Sequence, residues 1–249
     1  MSSPLLTDEV LIFWEGDQAA IEPALADWRA HDVTPIVLGD DAVMAILRKS
    51  FPEEYLAIYS RIRIESCRSD LARWLMLYDR GGFFADAHAG PNASSSQLDP
   101  YTALLGDHQL VLFEFVPSER HPGRSRLIAG MLMGQRGSPV IREFVDVMFE
   151  QLAEHMLAEE VTTEHVPYNI FSMTSGWRMF IHFYDTHDEI RGDVLWPMFE
   201  GAVSVNTVMG TPDEPIRLYK HYRYREPGNH WSERQQHERL FSDVEHRPH

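Results

Sequence analysis

The sequence predicts an α/β fold in which helices flank a central sheet, built as a single domain over residues 1–249. Two apolar runs, Val10–Trp14 and Val33–Leu38, are typical of strands, and the stretch between them of a helix. A second unit, Ser69–His88, has the pattern of a helix, a glycine stop and a buried strand. The chain is 44% hydrophobic and 24% charged, and no shift in composition divides it into two domains.

Charge and cysteine content narrow the class of protein. The 22 basic and 38 acidic residues give a formal charge of −16, which argues against a nucleic-acid partner. No apolar run is long enough to predict a membrane-spanning helix, and the N-terminal residues do not have the pattern of a signal peptide. Cys67 is the single cysteine, which excludes an internal disulfide and predicts a cytoplasmic location.

The β-α-β start is typical of a nucleotide-binding sheet. Its helix is predicted to run to about Ala30 and to carry Trp28. After the second strand, residues 40–63 predict one or two helices broken near Pro52, because proline cannot continue a helix.

A helix is predicted to begin at Ser69, whose hydroxyl can accept a hydrogen bond from an otherwise unpaired helical N–H. The apolar residues that would face the core at helical spacing are Leu71, Leu75 and Tyr78. Asp70 and Arg73 stand one turn apart and therefore share a neighbouring face of this helix.

Gly81 and Gly82 are predicted to end that helix, since glycine adopts the left-handed conformation at little cost. Residues 83–85 can then cross the core as a buried strand. Asp86 and His88 would emerge at the carboxyl end of this strand, where open α/β sheets bind their ligands. The unit therefore brings carboxylates, a cation and an imidazole to one edge of the sheet.

These twenty residues resemble a known signature. The DXD-motif glycosyltransferases of the GT-A fold share a pattern of Ser-Asp, then Arg, Leu-Tyr, Gly-Gly, two apolar residues and Asp-x-Asp. That family includes the glucosylating toxins, the yeast initiating mannosyltransferase and many bacterial sugar transferases. Here His88 stands in place of the second aspartate, giving a D-x-H variant. Imidazole is a good ligand for manganese-like ions, and the polypeptide GalNAc-transferases use D-x-H for this task.

The resemblance implies a GT-A-like, Rossmann-type sheet and a metal-dependent glycosyltransferase. Such an enzyme moves a sugar from a nucleotide-sugar donor, with a UDP-sugar favoured over a GDP-sugar, and retains the anomeric configuration. The acceptor is not identified. The implied cofactor is a divalent metal, Mn²⁺ or Mg²⁺, which would offset the charge of the diphosphate in this acidic protein.

The same resemblance assigns roles within Ser69–His88. Asp86 would contact the metal and the ribose, with His88 as a second metal ligand. Asp70 would hold ribose or donor-sugar hydroxyls. Arg73 would pair with Asp70 and with the sugar or phosphate. Ser69 belongs to the same donor-binding segment.

Other parts of the chain resemble the family more locally. Ile-Phe-Trp-Glu-Gly at residues 12–16 resembles the family's opening strand, in which the tryptophan lies against the base. Trp14 would then offer its flat apolar face to a uracil or guanine ring, although residue type alone is equally compatible with the core. Ser138 and Pro139, as N-cap and first residue, predict a helix that also matches the family. Thr174 begins a loose match to a Thr-Gly-Pro turn.

A C-terminal loop is predicted to complete the site, because Asp86 and His88 alone supply too few metal contacts. Toxin-type relatives carry E-x-x-S-x-W there, and Glu226, Asn229 and Trp231 match that spacing with asparagine in place of serine. The implied roles are metal contact for Glu226 and diphosphate contact for Asn229 and Trp231. The intervening Pro-Gly suits a mobile lid. The rival metal ligands from this region are His221 and His230.

The remaining elements are predicted from local pattern. The expected strands are 109–116, 193–196 and 216–222, and residues 127–133 are apolar. The expected loops are 89–100 and 117–126. Residues 162–184 end in a helical stretch, and the tail past Phe241 is polar and frayed. Two other functions fit the sequence. One is a nucleotide-sugar binding module without turnover. The other, which is weaker, is a metal-dependent phosphohydrolase.

Overall fold

A computed structural model describes residues 8–92, 99–115, 126–174, 201–210, 214, 216–221 and 230–242. Its centre is a six-stranded sheet in the order β2-β1-β3-β6-β5-β7. The strands are β1 Glu9–Phe13, β2 Thr34–Leu38, β3 Gly82–Ala85, β5 Leu110–Phe115, β6 Arg126–Gly134 and β7 Val203–Met209. Strand β6 runs antiparallel to both of its neighbours, and the other pairs are parallel. This mixed, mostly parallel sheet flanked by helices confirms the predicted α/β class.

The helices and two short strands complete the described fold. The helices are α1 Glu22–Arg29, α2 Asp40–Ser50, α3 Glu53–Arg61, α4 Glu65–Arg80, α5 Asp99–Asp107, α6 Pro139–Glu160, α7 Ile170–Thr174 and α8 Trp231–Arg234. A separate two-stranded ladder joins β4 Gly90–Pro91 to β8 Ile216–Arg217 in antiparallel register. Within these described residues, no helix has both the length and the apolar character needed to cross a membrane.

Side chains of the sheet alternate between two cores, as a strand period of two requires. From β1, Leu11 and Phe13 join the core formed with α2, α3, α4 and α6. Val10 and Ile12 join the opposite core, which contains the buried face of α1. Because β1 is buried on both faces, its sequence is a continuous apolar run rather than an alternating one.

The predicted β-α-β start is confirmed, with Trp28 of α1 fully buried against the sheet. The predicted break at Pro52 is also confirmed, since α2 and α3 lie on either side of it. Ser138 caps α6 as predicted, and its Oγ accepts the N–H of Ile141 at 3.2 Å.

The predicted start of α4 is wrong by four residues. The helix begins at Glu65, after Ile64 as the cap residue, and Ser69 lies within its second turn. Ile64 makes no side-chain capping bond, so the sequence offers no capping signal at the true start. Instead Ile64 is 1% exposed, and its burial in the core fixes where the helix begins.

The predicted end of α4 is confirmed. Gly81 has φ of +71°, and its N–H donates to the carbonyl of Leu77 at 2.8 Å. A Cβ at Gly81 would also lie 2.7 Å from the backbone nitrogen of Arg136, so both conformation and space require glycine. The chain therefore turns sharply into β3, whose residues Phe83, Phe84 and Ala85 are at most 5% exposed.

Some predicted elements differ. The expected loop 89–100 contains β4 and the first turn of α5, because Gly90–Pro91 pairs with a strand more than 120 residues later. The expected strand 216–222 is limited to β8, and its backbone then turns through residue 221. Strand β7 and most of α5 were not predicted. Strand 193–196, the loop residues 117–125 and residues 175–184 of the stretch 162–184 lie outside the described residues.

Candidate functional site

The strand order reverses between β1 and β3, where a ligand crevice is expected in an open α/β sheet. From β1 the chain passes to β2 on one side and then returns to β3 on the other, and all three strands are parallel. Helix α1, after β1, covers one face of the sheet, and α4, before β3, covers the other. Open α/β sheets bind ligands beyond the carboxyl ends of their strands at such a reversal. Trp14 follows β1 at this edge, and Asp86 follows β3.

Arg73 joins the two carboxylates of the predicted site. It comes from α4 and is 4% exposed, so its guanidinium is enclosed by the protein. One terminal nitrogen donates to Oδ1 of Asp70 and lies 3.6 Å from Oδ1 of Asp86. The other donates to the carbonyl of Ala129 on β6. Its Nε is a buried polar atom with no hydrogen-bond partner among the described residues.

Asp70 is held from two directions. Arg73 binds Oδ1, and the hydroxyl of Thr174 on α7 lies 2.8 Å from Oδ2. Burial of the carboxylate raises the pKa of Asp70, although Arg73 and Thr174 both favour its ionised form. The side chain is 15% exposed, so a ligand in the crevice can still reach it.

Asp86 and His88 leave β3 through a tight turn, in which the N–H of Ala89 donates to the carbonyl of Asp86 at 2.8 Å. The N–H of Asp86 donates to the carbonyl of Gly130 at 2.9 Å. A Cβ at Gly130 would lie 2.5 Å from Oδ2 of Asp86, so glycine in β6 makes room for this carboxylate. Oδ2 of Asp86 lies 3.8 Å from Nε2 of His88.

His88 lies in a mostly buried position with its ring stacked on Tyr219. The ring centroids are 5.3 Å apart and the planes differ by 5°. Burial lowers the pKa of His88, although the charge of Asp86 opposes the shift. The imidazole is therefore neutral near pH 7, which is the form that binds a metal ion.

The pair Asp86 and His88 fits a divalent cation. The 3.8 Å between Oδ2 and Nε2 is shorter than twice a metal–ligand distance of about 2.1 Å, so one ion can contact both atoms. Among the described residues, no histidine, cysteine or carboxylate joins this pair as a third metal ligand. A cation here would therefore also need donors from the ligand or from elsewhere in the chain.

A second polar cluster lies beside the first. Asp27 of α1 accepts from Nζ of Lys220 and Nε2 of His221, each 2.8 Å from Oδ2. Although burial opposes the shift, these two donors lower the pKa of Asp27. The N–H of His221 donates to the carbonyl of His88 at 3.0 Å, which connects the two clusters. The imidazole of His221, predicted as a rival metal ligand, is thus bonded to Asp27.

The other predicted site residues lie as follows. Trp14 is half-buried, packs on the α1 side of the sheet and donates from its indole to the carbonyl of Asp17 at 3.0 Å. Ser69 is half-buried on α4, directly before Asp70. Trp231 begins α8 and packs partly against the larger core. Glu226 and Asn229 lie outside the described residues.

His230 caps α8, with Nδ1 2.6 Å from Oγ of Ser232. That contact occupies one nitrogen of the second rival ligand. The structure therefore brings together Asp70, Arg73, Asp86 and His88, and places Trp14 at the same sheet edge.

Thr174 and Tyr219 are site residues that the sequence did not identify as such. Thr174 was noted for a turn motif, yet its hydroxyl lies on Asp70. Tyr219 falls in a segment predicted only as a strand, yet its ring covers His88. Both contacts join residues more than 100 positions apart, and no local pattern signals them.

Comparison with known proteins finds similarity at the level of structure. No family model matches the sequence, and no curated protein matches it. A solved structure named "PaToxG Glycosyltransferase" aligns with a TM-score of 0.44 at 12% identity, covering 77% of this chain and 75% of that chain. A similarity at this level does not assign an activity.

Proposed function

We propose that this protein is a glycosyltransferase that takes a sugar from a nucleotide-sugar donor. The observation that carries the proposal is the position of Asp70, Arg73, Asp86 and His88. They converge beyond the carboxyl end of β3, beside the point where the strand order reverses. That edge is where a nucleotide binds in an open α/β sheet, and these residues carry the chemistry that a diphosphate sugar requires.

The carboxylates supply hydrogen-bond acceptors for hydroxyl groups. An ionised carboxylate is an acceptor only, and two oxygens provide about four lone-pair sites. Asp70 is suited to hydroxyls of the ribose or of the donor sugar, and Asp86 to a ribose hydroxyl and a cation. Arg73 is buried beneath both, so its role is to orient them rather than to contact the ligand broadly. Held this way, the two carboxylates need little rearrangement when the donor binds.

The proposed cation would be held by Asp86 and His88, with Glu226 as the candidate third protein ligand. When bound, a divalent cation neutralises the charge that develops on the leaving diphosphate. The protein has a formal charge of −16 and needs such a positive charge at the site. Neutral His88 contributes a ligand without adding further negative charge, unlike the aspartate of the usual motif.

Trp14 is the proposed contact for the nucleotide base. Trp14 follows β1 at the sheet edge where Asp86 follows β3, and it is half-buried rather than enclosed in the core, which supports this role. A flat indole can stack on any base, so this contact suits UDP and GDP donors alike. Retention of configuration and preference for UDP follow from the family resemblance and are part of the proposal.

The test is a donor-hydrolysis screen across UDP- and GDP-sugars with Mn²⁺ or Mg²⁺, because water can replace the acceptor slowly. Release of the nucleoside diphosphate that depends on metal supports the proposal. Calorimetric titration with UDP, with and without Mn²⁺, should accompany it. Metal-dependent binding without turnover of any donor would indicate the binding module instead. If the protein neither binds UDP or GDP nor turns over any donor, the proposed function is wrong.

A further inference from the structure

Thr174 connects a distant part of the chain to Asp70. Its Oγ1 lies 2.8 Å from Oδ2 of Asp70 and 2.8 Å from the carbonyl oxygen of Ile170. A hydroxyl has one proton and donates to one of these acceptors at a time. The carbonyl is one turn back on α7 and is an alternative acceptor within the same helix. The contact with Asp70, across 104 positions of sequence, is the one that reaches the site.

The surroundings make this hydroxyl important to Asp70. Thr174 is 0% exposed and Arg73 4% exposed, so water does not readily replace either donor. In a region of low dielectric, a hydrogen bond to a charged group is stronger than in water, and its loss is more costly. Arg73 occupies Oδ1 and Thr174 lies on Oδ2, so the two donors together fix the plane of the carboxylate.

Helix α7 is itself anchored, so the hydroxyl is held in place. The N–H of Ile170 donates to Oε1 of Gln235 at 3.1 Å, and Gln235 is 7% exposed. Tyr168, just before α7, donates to the carbonyl of Glu238 at 2.9 Å. The C-terminal segment thus fixes the start of α7, and α7 carries Thr174 to Asp70.

We propose that Thr174 is a positioning residue that holds Asp70 as an acceptor for the hydroxyl groups of the donor. The inference rests on the proposed function and deepens it. Two of about four lone-pair sites on the carboxylate are used by Arg73 and Thr174, and the others remain for the ligand. A carboxylate fixed in this way accepts hydrogen bonds from hydroxyl groups. The Asp70 end of the site is therefore suited to the hydroxyl groups of a ribose or hexose ring.

The first experiment compares variants that differ in one hydroxyl. Thr174→Val keeps the shape of the side chain and removes the donor, and kcat/KM for donor hydrolysis should fall about tenfold. Thr174→Ser restores the hydroxyl and should stay within about threefold of the wild type. Ser172→Ala, on the same helix, is the matched control and should leave turnover unchanged. Thr174→Ala provides a second hydroxyl-free variant if the valine cannot be accommodated.

A double-mutant cycle decides whether Thr174 acts through Asp70. In an Asp70→Ala background the acceptor is absent, so Thr174→Val should cause little further loss of donor affinity or kcat/KM. An equal loss in both backgrounds overturns the inference, and so does a folded Thr174→Val protein with wild-type affinity. A wild type that binds no nucleotide sugar overturns the proposed function as well. A wild type that binds one, with Thr174→Val unaffected, overturns the role of Thr174 alone.

Discussion

Two neighbouring clusters in this protein use the same chemical groups at different spacings. The closed cluster consists of Asp27, Lys220 and His221, in which both donors lie 2.8 Å from one carboxylate oxygen. The open cluster consists of Asp86, Arg73 and His88, in which the corresponding distances are 3.6 and 3.8 Å. The contacts in the closed cluster are hydrogen bonds, whereas the distances in the open cluster are too long for hydrogen bonds.

The difference separates a structural contact from a binding site. In the closed cluster the donors satisfy the carboxylate, and a Cβ at Gly90 would lie 2.6 Å from Oδ2 of Asp27, so no ligand fits at that point. In the open cluster, the gap between Asp86 and His88 is the width that one cation requires. Spacing, rather than residue type, therefore indicates which cluster is the candidate binding site.

The largest expected effect comes from changing the open cluster. Asp86→Ala or His88→Ala should abolish metal-dependent donor turnover, a loss of at least about 100-fold, because each removes a contact to the charged leaving group. The melting temperature of the metal-free protein should hardly change, because the contacts of Asp86 with Arg73 and His88, at 3.6 and 3.8 Å, are longer than hydrogen bonds. Asp27→Ala is the matched variant in the closed cluster and should show the opposite result, lower stability with retained turnover.

Steady-state kinetics and thermal unfolding of the three proteins provide the measurement. Full activity in His88→Ala would mean that His88 is not a ligand. His88→Asp recreates the usual motif and should remain active with a different order of preference among Mn²⁺ and Mg²⁺.

Two tryptophans extend the comparison to the nucleotide. Trp14→Ala should weaken UDP or GDP binding by roughly 1–3 kcal/mol, the scale of base–aromatic stacking. Trp28 is 0% exposed and packs edge-on against Phe83 with centroids 6.0 Å apart, so Trp28→Phe should lower stability and leave affinity unchanged. Calorimetric titration, with unfolding curves for both variants, distinguishes the roles. A folded Trp14→Ala protein that binds both nucleotides normally would exclude the stacking role.

The elements around the open cluster could be predicted because their signals are local. Gly81 must adopt a positive φ, and the apolar run before Asp86 must be buried. Those two facts place Asp86 and His88 at a strand end without knowledge of the rest of the chain. The spacing of Asp70 and Arg73 likewise follows from one helical turn.

The closed cluster and the role of Thr174 could not be predicted, because they depend on contacts between distant segments. Asp27 and His221 are 194 positions apart, and Thr174 and Asp70 are 104 apart. Before the fold is known, nothing in the sequence shows that the imidazole of His221, a rival candidate ligand, is bonded to Asp27. The start of α4 was missed for a related reason, since Ile64 is fixed by burial rather than by a capping side chain.

Trp231 tests whether the open cluster is completed by the C-terminal segment. Trp231→Phe keeps most of the bulk of the ring but removes the indole donor, and turnover should fall roughly tenfold, the effect of one lost hydrogen bond to a charged group. Trp231 already packs partly on the core formed with α2, α3, α4 and α6. The slowing of backbone hydrogen exchange when metal and nucleotide bind should therefore be strongest at residues 226–230. Hydrogen exchange with and without Mn²⁺ and UDP measures it. The predicted lid would be contradicted by hydrogen exchange that is the same with and without Mn²⁺ and UDP. Full donor hydrolysis after truncation before Glu226 would also contradict it.

The smallest expected effect is the pH dependence of the closed cluster. The pKa of Asp27 is lower in the folded protein than in the unfolded chain, so the folded state favours its ionised form. Its stabilisation is then complete above the unfolded pKa, near 4, and is lost as the pH falls through the lower folded pKa. Asp27→Asn should therefore lower the free energy of unfolding by about 1–2 kcal/mol at pH 7. The difference from the wild type should shrink steadily below about pH 4.

Urea denaturation of both proteins across this pH range measures the difference in the free energy of unfolding, with donor turnover at pH 7 as the control. A difference that is constant with pH would mean that the carboxylate is not the group that Lys220 and His221 stabilise, and the contrast between closed and open clusters would lose its electrostatic basis.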